Sequence, residues 1–262
     1  MEKFDKFVEI LKTLRSDHGC PWDREQTHKS LRQNLIEEAY EVIESIDNDD
    51  NANLREELGD VLLQIVMHSV IAEEENAFTI EDVIDEVSEK MIRRHPHVFG
   101  DVEADTSEEV LKNWDAIKKQ EKKEKTIGES MQRIPKALPA NIRAEKVQKK
   151  AAKVGFDFSN YKEALEKVYE ELRELEEAKT TENTSEIEEE FGDLLFALVN
   201  LSRFLQINAE NSLTNATNKF INRFVTIEAL AEKGNKQFSE LSIDEMNELW
   251  EQVKWIRDSL IT

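Results

Sequence analysis

The stretch EEAYEVIESIDNDDNANLREELGD, Glu37 to Asp60, returns as EELRELEEAKTTENTSEIEEEFGD, Glu170 to Asp193, with its acidic framework intact. Glu37, Glu38, Glu41, Glu57, Gly59 and Asp60 become Glu170, Glu171, Glu174, Glu190, Gly192 and Asp193, each 133 residues later. Within a copy the first three glutamates stand at i, i+1 and i+4, and the last two acids at i and i+3. Both spacings keep carboxylates on one face of a helix. The helix carrying Glu41 is expected to end about five residues on, and Glu57 lies about five residues into the next. At about 1.5 Å per residue both stand about 7 Å from the connecting turn. An antiparallel hairpin therefore brings the acidic pairs to one height, and the second copy repeats the arrangement. Converging carboxylates repel and raise one another's pKa unless a cation intervenes. Mg²⁺ answers this need, because it takes hard oxygen ligands and keeps positions for water and phosphate. A lone E-E-x-x-E is usually a solvated helix face, whereas two copies, each followed by E-x-G-D, are a metal-site pattern. Gly59 and Gly192 each cost a helix interior about 1 kcal/mol relative to Ala, which implies close approach of a facing helix or a ligand.

Working outward, helical periodicity dominates the 262 residues, and 7 Gly and 4 Pro leave few breakers for a β architecture. The spacing predicts helices at about Phe4–Leu14, Lys29–Ile46, Leu54–Glu75 and Thr79–Arg94, with loops at Asp17–Asp23 and Asp47–Asn53. It predicts further helices at about Asn141–Val154, Tyr161–Ala178, Glu186–Gln206, Asn211–Glu232 and from Ser242 onward. Thr79 with Asp82, Ser185 with Glu188 and Ser242 with Glu245 have the form of capping boxes. The charged run 117–125 with Pro135 and Pro139 reads as a linker. The organisation expected is a first domain over 1–125, a linker over 126–140 and a second domain over 141–262. The third helix is apolar over a wide arc (Leu58, Val61, Leu62, Ile65, Val66, Ile71), suggesting burial on several sides.

A net charge of −22 argues against a sequence-independent nucleic-acid binder, though not against single nucleotides. Cys20 is the only cysteine, so no internal disulfide forms and a reducing compartment is favoured. The most apolar run, Val61–Ala72, is too short to span a bilayer. A cytoplasmic location without membrane contact is expected.

Phosphate needs cations. Lys90 with Arg94, and Lys219 with Arg223, stand at i, i+4 and follow the two acidic motifs at similar distances, suggesting triphosphate contacts or, equally, surface pairing with nearby acids. Glu25-x-x-His28 has a di-iron form, but all five histidines precede position 98 and the second unit has no counterpart. The chemistry common to both units is carboxylate-only, which suits Mg²⁺ or Mn²⁺. The Cys20–Asp23 loop, the His95–Gly100 loop and Trp250 read first as packed anchors.

These residues resemble the MazG family of nucleoside triphosphate pyrophosphohydrolases. E-E-x-x-E followed by E-x-x-D is similar to its signature, and G-C-P-W-D at 19–23 and R-R-H-P-H-V-F-G at 93–100 extend the likeness over nearly the whole chain. The resemblance implies an all-α fold of two tandem four-helix-bundle-like domains and a homodimer. It also implies Mg²⁺-dependent hydrolysis of NTPs such as ATP, and of dNTPs, to NMP and pyrophosphate. It would make Glu171, Glu174, Glu190 and Asp193 metal ligands, with Glu38, Glu41, Glu57 and Asp60 their first-unit counterparts. Glu170 and Glu37 would be outer-shell groups or water activators, with Glu171 and Glu38 beside them in the catalytic set. Lys219 and Arg223, with Lys90 and Arg94 in the first unit, would hold phosphates, and Trp250 would contact the nucleotide. No first-unit match to Trp250 is expected. The mechanism expected is in-line attack on the α-phosphorus by a metal-bound water. Two rivals are a helical nucleotide-binding scaffold without turnover and a redox site on Glu25 and His28.

Overall fold

The computed structural model describes residues 2–121, 126–234 and 236–258, the side chains of 255–258 excepted. The chain divides into two compact units, Met1–Lys122 and Lys123–Thr262. Among the described residues the regular structure is helical, without strands.

In the first unit α1 (Glu2–Arg15) is followed by a short α2 (Pro21–Glu25), then by α3 (Arg32–Asp47) and α4 (Asn51–Glu74), which form an antiparallel hairpin. Helix α5 (Ile80–Arg94), a one-turn α6 (Pro96–Phe99) and α7 (Ser107–Glu121) complete it. Val8 and Leu11 of α1 pack into a core with Val66, Met67, Val70 and Ile71 of α4, joined by Leu31 and Ile80. Each such side chain contributes about 1.5–3 kcal/mol on burial. Arg15 fixes the edge of this core. It pairs with Glu74 at 2.6 Å and donates to the carbonyl of Gln26 at 3.1 Å, so α1, α4 and the segment after α2 are held by one guanidinium.

In the second unit α8 (Ile127–Gln132) and α9 (Ala140–Ala152) precede the hairpin of α10 (Tyr161–Thr181) and α11 (Thr184–Phe204). Helices α12 (Ala209–Lys233) and α13 (Ile243–Asp258) close the unit. Gln148 of α9 donates to the Phe196 carbonyl of α11 at 2.8 Å, fastening the hairpin to the helix before it.

The repeat is written into the hairpin turns as well as the acids. Asp49 and Glu182, at matched positions, are both left-handed, with φ of 54° and 57°. The next residue in each copy caps the second helix. Asp50 accepts from the N–H groups of Ala52 and Asn53 at 3.0 and 3.1 Å, and Asn183 accepts from that of Ser185 at 3.2 Å. In the first hairpin Asn53 also donates to Ser45 at 2.7 Å, and buried Ser45 donates to the Glu41 carbonyl at 2.8 Å. Glu41 is thereby tied to the turn.

Several elements differ from expectation. Pro21 opens a short helix where a loop to Asp23 was expected, because its missing N–H costs nothing at a helix start. Helix α4 begins at Asn51 rather than Leu54, since Asp50 supplies the cap. Ser185 lies inside α11 and forms no capping box with Glu188; Asn183 takes that role. The boxes at Thr79–Asp82 and Ser242–Glu245 are present. Helix α7 reaches Glu121, so 117–121 is helical, and 122–125 lies outside the described residues. The stretch read as linker carries α8, which packs against α9 and receives a 2.9 Å bond from Lys150 to Ser130. No helix among the described residues is long and apolar enough to cross a membrane.

Replacing Asp50 or Asn183 by Ala should each cost about 1 kcal/mol, the usual worth of an N-cap. Urea denaturation followed by far-UV circular dichroism measures this, and an unchanged midpoint in both variants would refute the capping account.

Candidate active site

The hairpin geometry brings the acids together. In the first unit one carboxylate oxygen each from Glu38, Glu41 and Glu57 lie within 4.8 Å of one another, and in the second unit those of Glu171, Glu174 and Glu190 do the same. Two of each trio come from the first helix of the hairpin and one from the second. Among the described residues these are the groups of three or more potential metal ligands. Asp60 and Asp193 fall outside the trios but act on them by charge: Asp60 on Glu38 and Glu57, Asp193 on Glu190.

The carboxylates of each trio act on one another. Burial first, and then Asp60 and Glu41, push the Glu38 pKa up; burial and then Glu41 do the same to Glu57. In the second unit burial and then Glu171 raise Glu174, and burial and then Asp193 raise Glu190. Three carboxylate oxygens at this spacing suit a hard divalent cation such as Mg²⁺, which would relieve their repulsion. An added Cβ at Gly59 or Gly192 would meet nothing within 4 Å. The facing helix does not explain these glycines, contrary to one of the two expectations for them.

The two trios differ by one residue that the sequence pattern did not single out. Lys167 reaches Glu170 at 2.6 Å and Glu171 at 2.7 Å. It lowers the Glu170 pKa, and its own pKa is raised by the two bonds. Glu171 is only 6% exposed, so this ammonium is the counter-charge of a nearly buried carboxylate. The matched position in the first unit is Asn34, which carries no charge. Glu37 there accepts from Gln33 at 2.9 Å instead.

The cations lie on the helix that follows each hairpin. Lys90 and Lys219 occupy the same position counted from Ile80 and Ala209, the first residues of α5 and α12, and so do Arg94 and Arg223. Helix α5 packs against α4, and α12 against α11. The Arg223 guanidinium stands 5.8 Å from the Trp250 ring, and its buried Nε has no acceptor. Phe220 adds an aromatic contact to Trp250 at 5.1 Å. Arg94 stands 5.6 Å from Trp114, so the first unit does have a tryptophan in this role, delivered by α7. Trp114 follows Asp60 by 54 residues and Trp250 follows Asp193 by 57, so the match stands in the sequence too and the expectation of none fails.

The cavity of about 470 Å³ in the second unit is bordered by Gln148, Phe156, Phe158, Phe196, Asn200 and Arg203, and none of the acids of the trio lines it. His28 meets His68, Nδ1 to Nδ1 at 2.8 Å, and its Nε2 lies 3.9 Å from Glu75. It belongs to neither metal-capable group, which leaves the E-x-x-H reading without a ligand set among the described residues.

The model of the MazG nucleotide pyrophosphohydrolase domain matches residues 26–99 and again 159–226, each span holding one trio and its Lys/Arg pair. The chain belongs to the MazG family. A Thermotoga maritima protein described as nucleoside triphosphate pyrophosphohydrolase/pyrophosphatase MazG is 50% identical over 254 residues, covering 96% of this chain and 95% of that protein. The Escherichia coli K12 nucleoside triphosphate pyrophosphohydrolase is 41% identical over 257 residues, covering 97% and 98%. Bacillus subtilis YabN is 47% identical over 258 residues, which span 96% of this chain and 52% of YabN. Tandem MazG domains therefore account for the duplicated acids, and the all-α reading of the sequence holds.

The raised carboxylate pKa values carry a sign. A carboxylate whose folded pKa lies above its unfolded value binds more protons when folded, so its contribution to stability falls as pH rises through the folded pKa. Metal-free protein should therefore gain thermal stability from Glu174→Gln at pH 7, and this gain should vanish near pH 4. Added Mg²⁺ should raise the wild-type Tm at pH 7 and raise that of the variant less. Differential scanning fluorimetry with and without EDTA reads both effects.

Proposed function

We propose that the second unit hydrolyses nucleoside triphosphates, deoxynucleotides included, to the monophosphate and pyrophosphate in the presence of Mg²⁺, with Mn²⁺ as a substitute. The observation that carries this reading is the meeting of Glu171, Glu174 and Glu190 within 4.8 Å on one hairpin. Glu171, Glu174, Glu190 and Asp193 would hold the cation, as Glu38, Glu41, Glu57 and Asp60 would in the first unit. Bound there, Mg²⁺ would offset phosphate charge and acidify a water.

The chain's own residues supply the rest. Arg223, whose Nε lacks an acceptor, and Lys219 on the same face of α12 bind phosphate oxygens. Trp250 presents its ring to the nucleoside. Glu170, outside the trio, accepts the proton of the attacking water at the α-phosphorus. While Lys167 is bonded to it Glu170 is a poor base, so Lys167 leaves Glu170 before the transfer. Glu37 is the corresponding carboxylate of the first unit.

A homodimer belongs to the same proposal. Tyr40, Ile43 and Leu58 of one hairpin and Tyr169, Leu172 and Phe191 of the other are exposed large apolar groups. Association of two copies through these hairpins would take such groups out of water. A cytoplasmic location fits the single cysteine. For the first unit a nucleotide-binding role without turnover has an observation in its favour: Arg94, unlike Arg223, is already bonded to an acid, which holds it away from a reacting phosphate.

Glu174→Ala or Asp193→Ala should abolish pyrophosphate release from ATP with helical content unchanged, whereas Glu41→Ala should leave most of it. Arg223→Ala should raise KM by at least tenfold. Chromatographic separation of NMP, pyrophosphate and orthophosphate decides the reaction, and release of orthophosphate alone from the wild type would refute it.

A further inference from the structure

The pairing of Arg94 with Trp114 gives the first unit the same guanidinium-on-indole element as Arg223 with Trp250, at 5.6 and 5.8 Å. The two arginines are equivalent by helix position, and each unit also holds a carboxylate trio. What differs is the anion. Arg94 donates from Nε and Nη2 to one oxygen of Glu121, at 3.0 and 2.6 Å, and Arg93 donates from Nε to the other oxygen at 2.6 Å. Two guanidinium groups thus converge on a single anionic head, as they do around phosphate. Arg94 and Arg93, in that order, hold the Glu121 carboxyl at about 2. Arg223 has no such partner among the described residues. Trp114 is further fixed by His95, whose ring meets it edge-on at 4.9 Å while its Nδ1 lies 2.6 Å from the Met91 carbonyl.

We propose that Glu121 regulates nucleotide binding by the first unit: it occupies the phosphate place of Arg94, beside Trp114, until a triphosphate whose base stacks on that indole displaces it. The proposal rests on the reading of the second unit as a nucleotide site. An indole already bearing a guanidinium offers its remaining surface to a base, a contact worth about 1–3 kcal/mol in nucleic-acid binders. A triphosphate brings more negative charge to Arg93, Arg94 and Lys90 than one carboxylate does. It must nevertheless displace Glu121 first, so this site is weaker than that of the second unit. Glu121 therefore sets the nucleotide concentration at which the first unit fills.

The test is isothermal titration of the full-length protein with α,β-methylene ATP and Mg²⁺. The wild type should bind one nucleotide per chain tightly and a second at least tenfold more weakly. Glu121→Gln, which keeps the side-chain shape and removes the charge, should tighten the second event at least tenfold without altering the first. Adding Trp114→Leu to that variant should remove the second event, and Trp114→Phe should retain it. Fluorine NMR of 5-fluorotryptophan-labelled protein, with the Trp114 resonance assigned by its loss in Trp114→Phe, gives an independent readout that touches neither Glu121 nor Trp250. That resonance should shift only in the weaker binding range. One nucleotide per chain in every variant, with the Trp114 resonance unchanged, would overturn the second site while leaving the reading of the second unit intact. No nucleotide bound to the wild type would instead sink that underlying reading.

Discussion

Each unit depends on a repulsion that its hairpin is built to hold. The turns at Asp49–Asp50 and Glu182–Asn183 fix the register of two antiparallel helices, and that register puts three carboxylates within 4.8 Å. Nothing in the acids themselves favours this arrangement; burial and neighbouring charge raise the pKa values of Glu38, Glu57, Glu174 and Glu190. The opposing forces are the caps, the Ser45–Asn53 bond and the packing of α1 on α4. A divalent cation, as proposed for both clusters, would remove that repulsion.

Much of this was legible in the sequence because it is local. Hairpin height follows from counting residues to a turn, and the caps at Thr79 and Ser242 announce themselves by residue type and spacing. The acids of each trio stand among those the repeat singles out, together with Glu37, Asp60, Glu170 and Asp193, which the trios leave out. Ser185 was misread because Asn183, two residues earlier, is the better acceptor and takes the amide first. The charged end of α7 looked like a linker because its anchor is non-local: Arg93 and Arg94 supply the partners of Glu121 across a chain separation that periodicity does not register.

Lys167 marks the limit of such reading. It lies one helical turn before Glu171 in an acidic helix, where i, i+4 pairs are common, and only the near burial of Glu171 separates it from those. Trp114 was within reach of the sequence, since it stands 54 residues after Asp60 against 57 from Asp193 to Trp250. Counted from the starts of α7 and α13, the two tryptophans hold the same position.

The exchange of Lys167 for Asn34 has a consequence for the life of the chain without metal. The second cluster carries an internal ammonium that shields Glu170 and Glu171, so losing a divalent cation leaves it partly balanced. The first cluster has no ammonium at the matched position, where Asn34 stands. If both take Mg²⁺ as proposed, depletion of the ion is two events rather than one. One domain falls back on its own cation, while its twin is left to bear the strain of like charges, so scarcity of magnesium would be felt unequally along a single polypeptide.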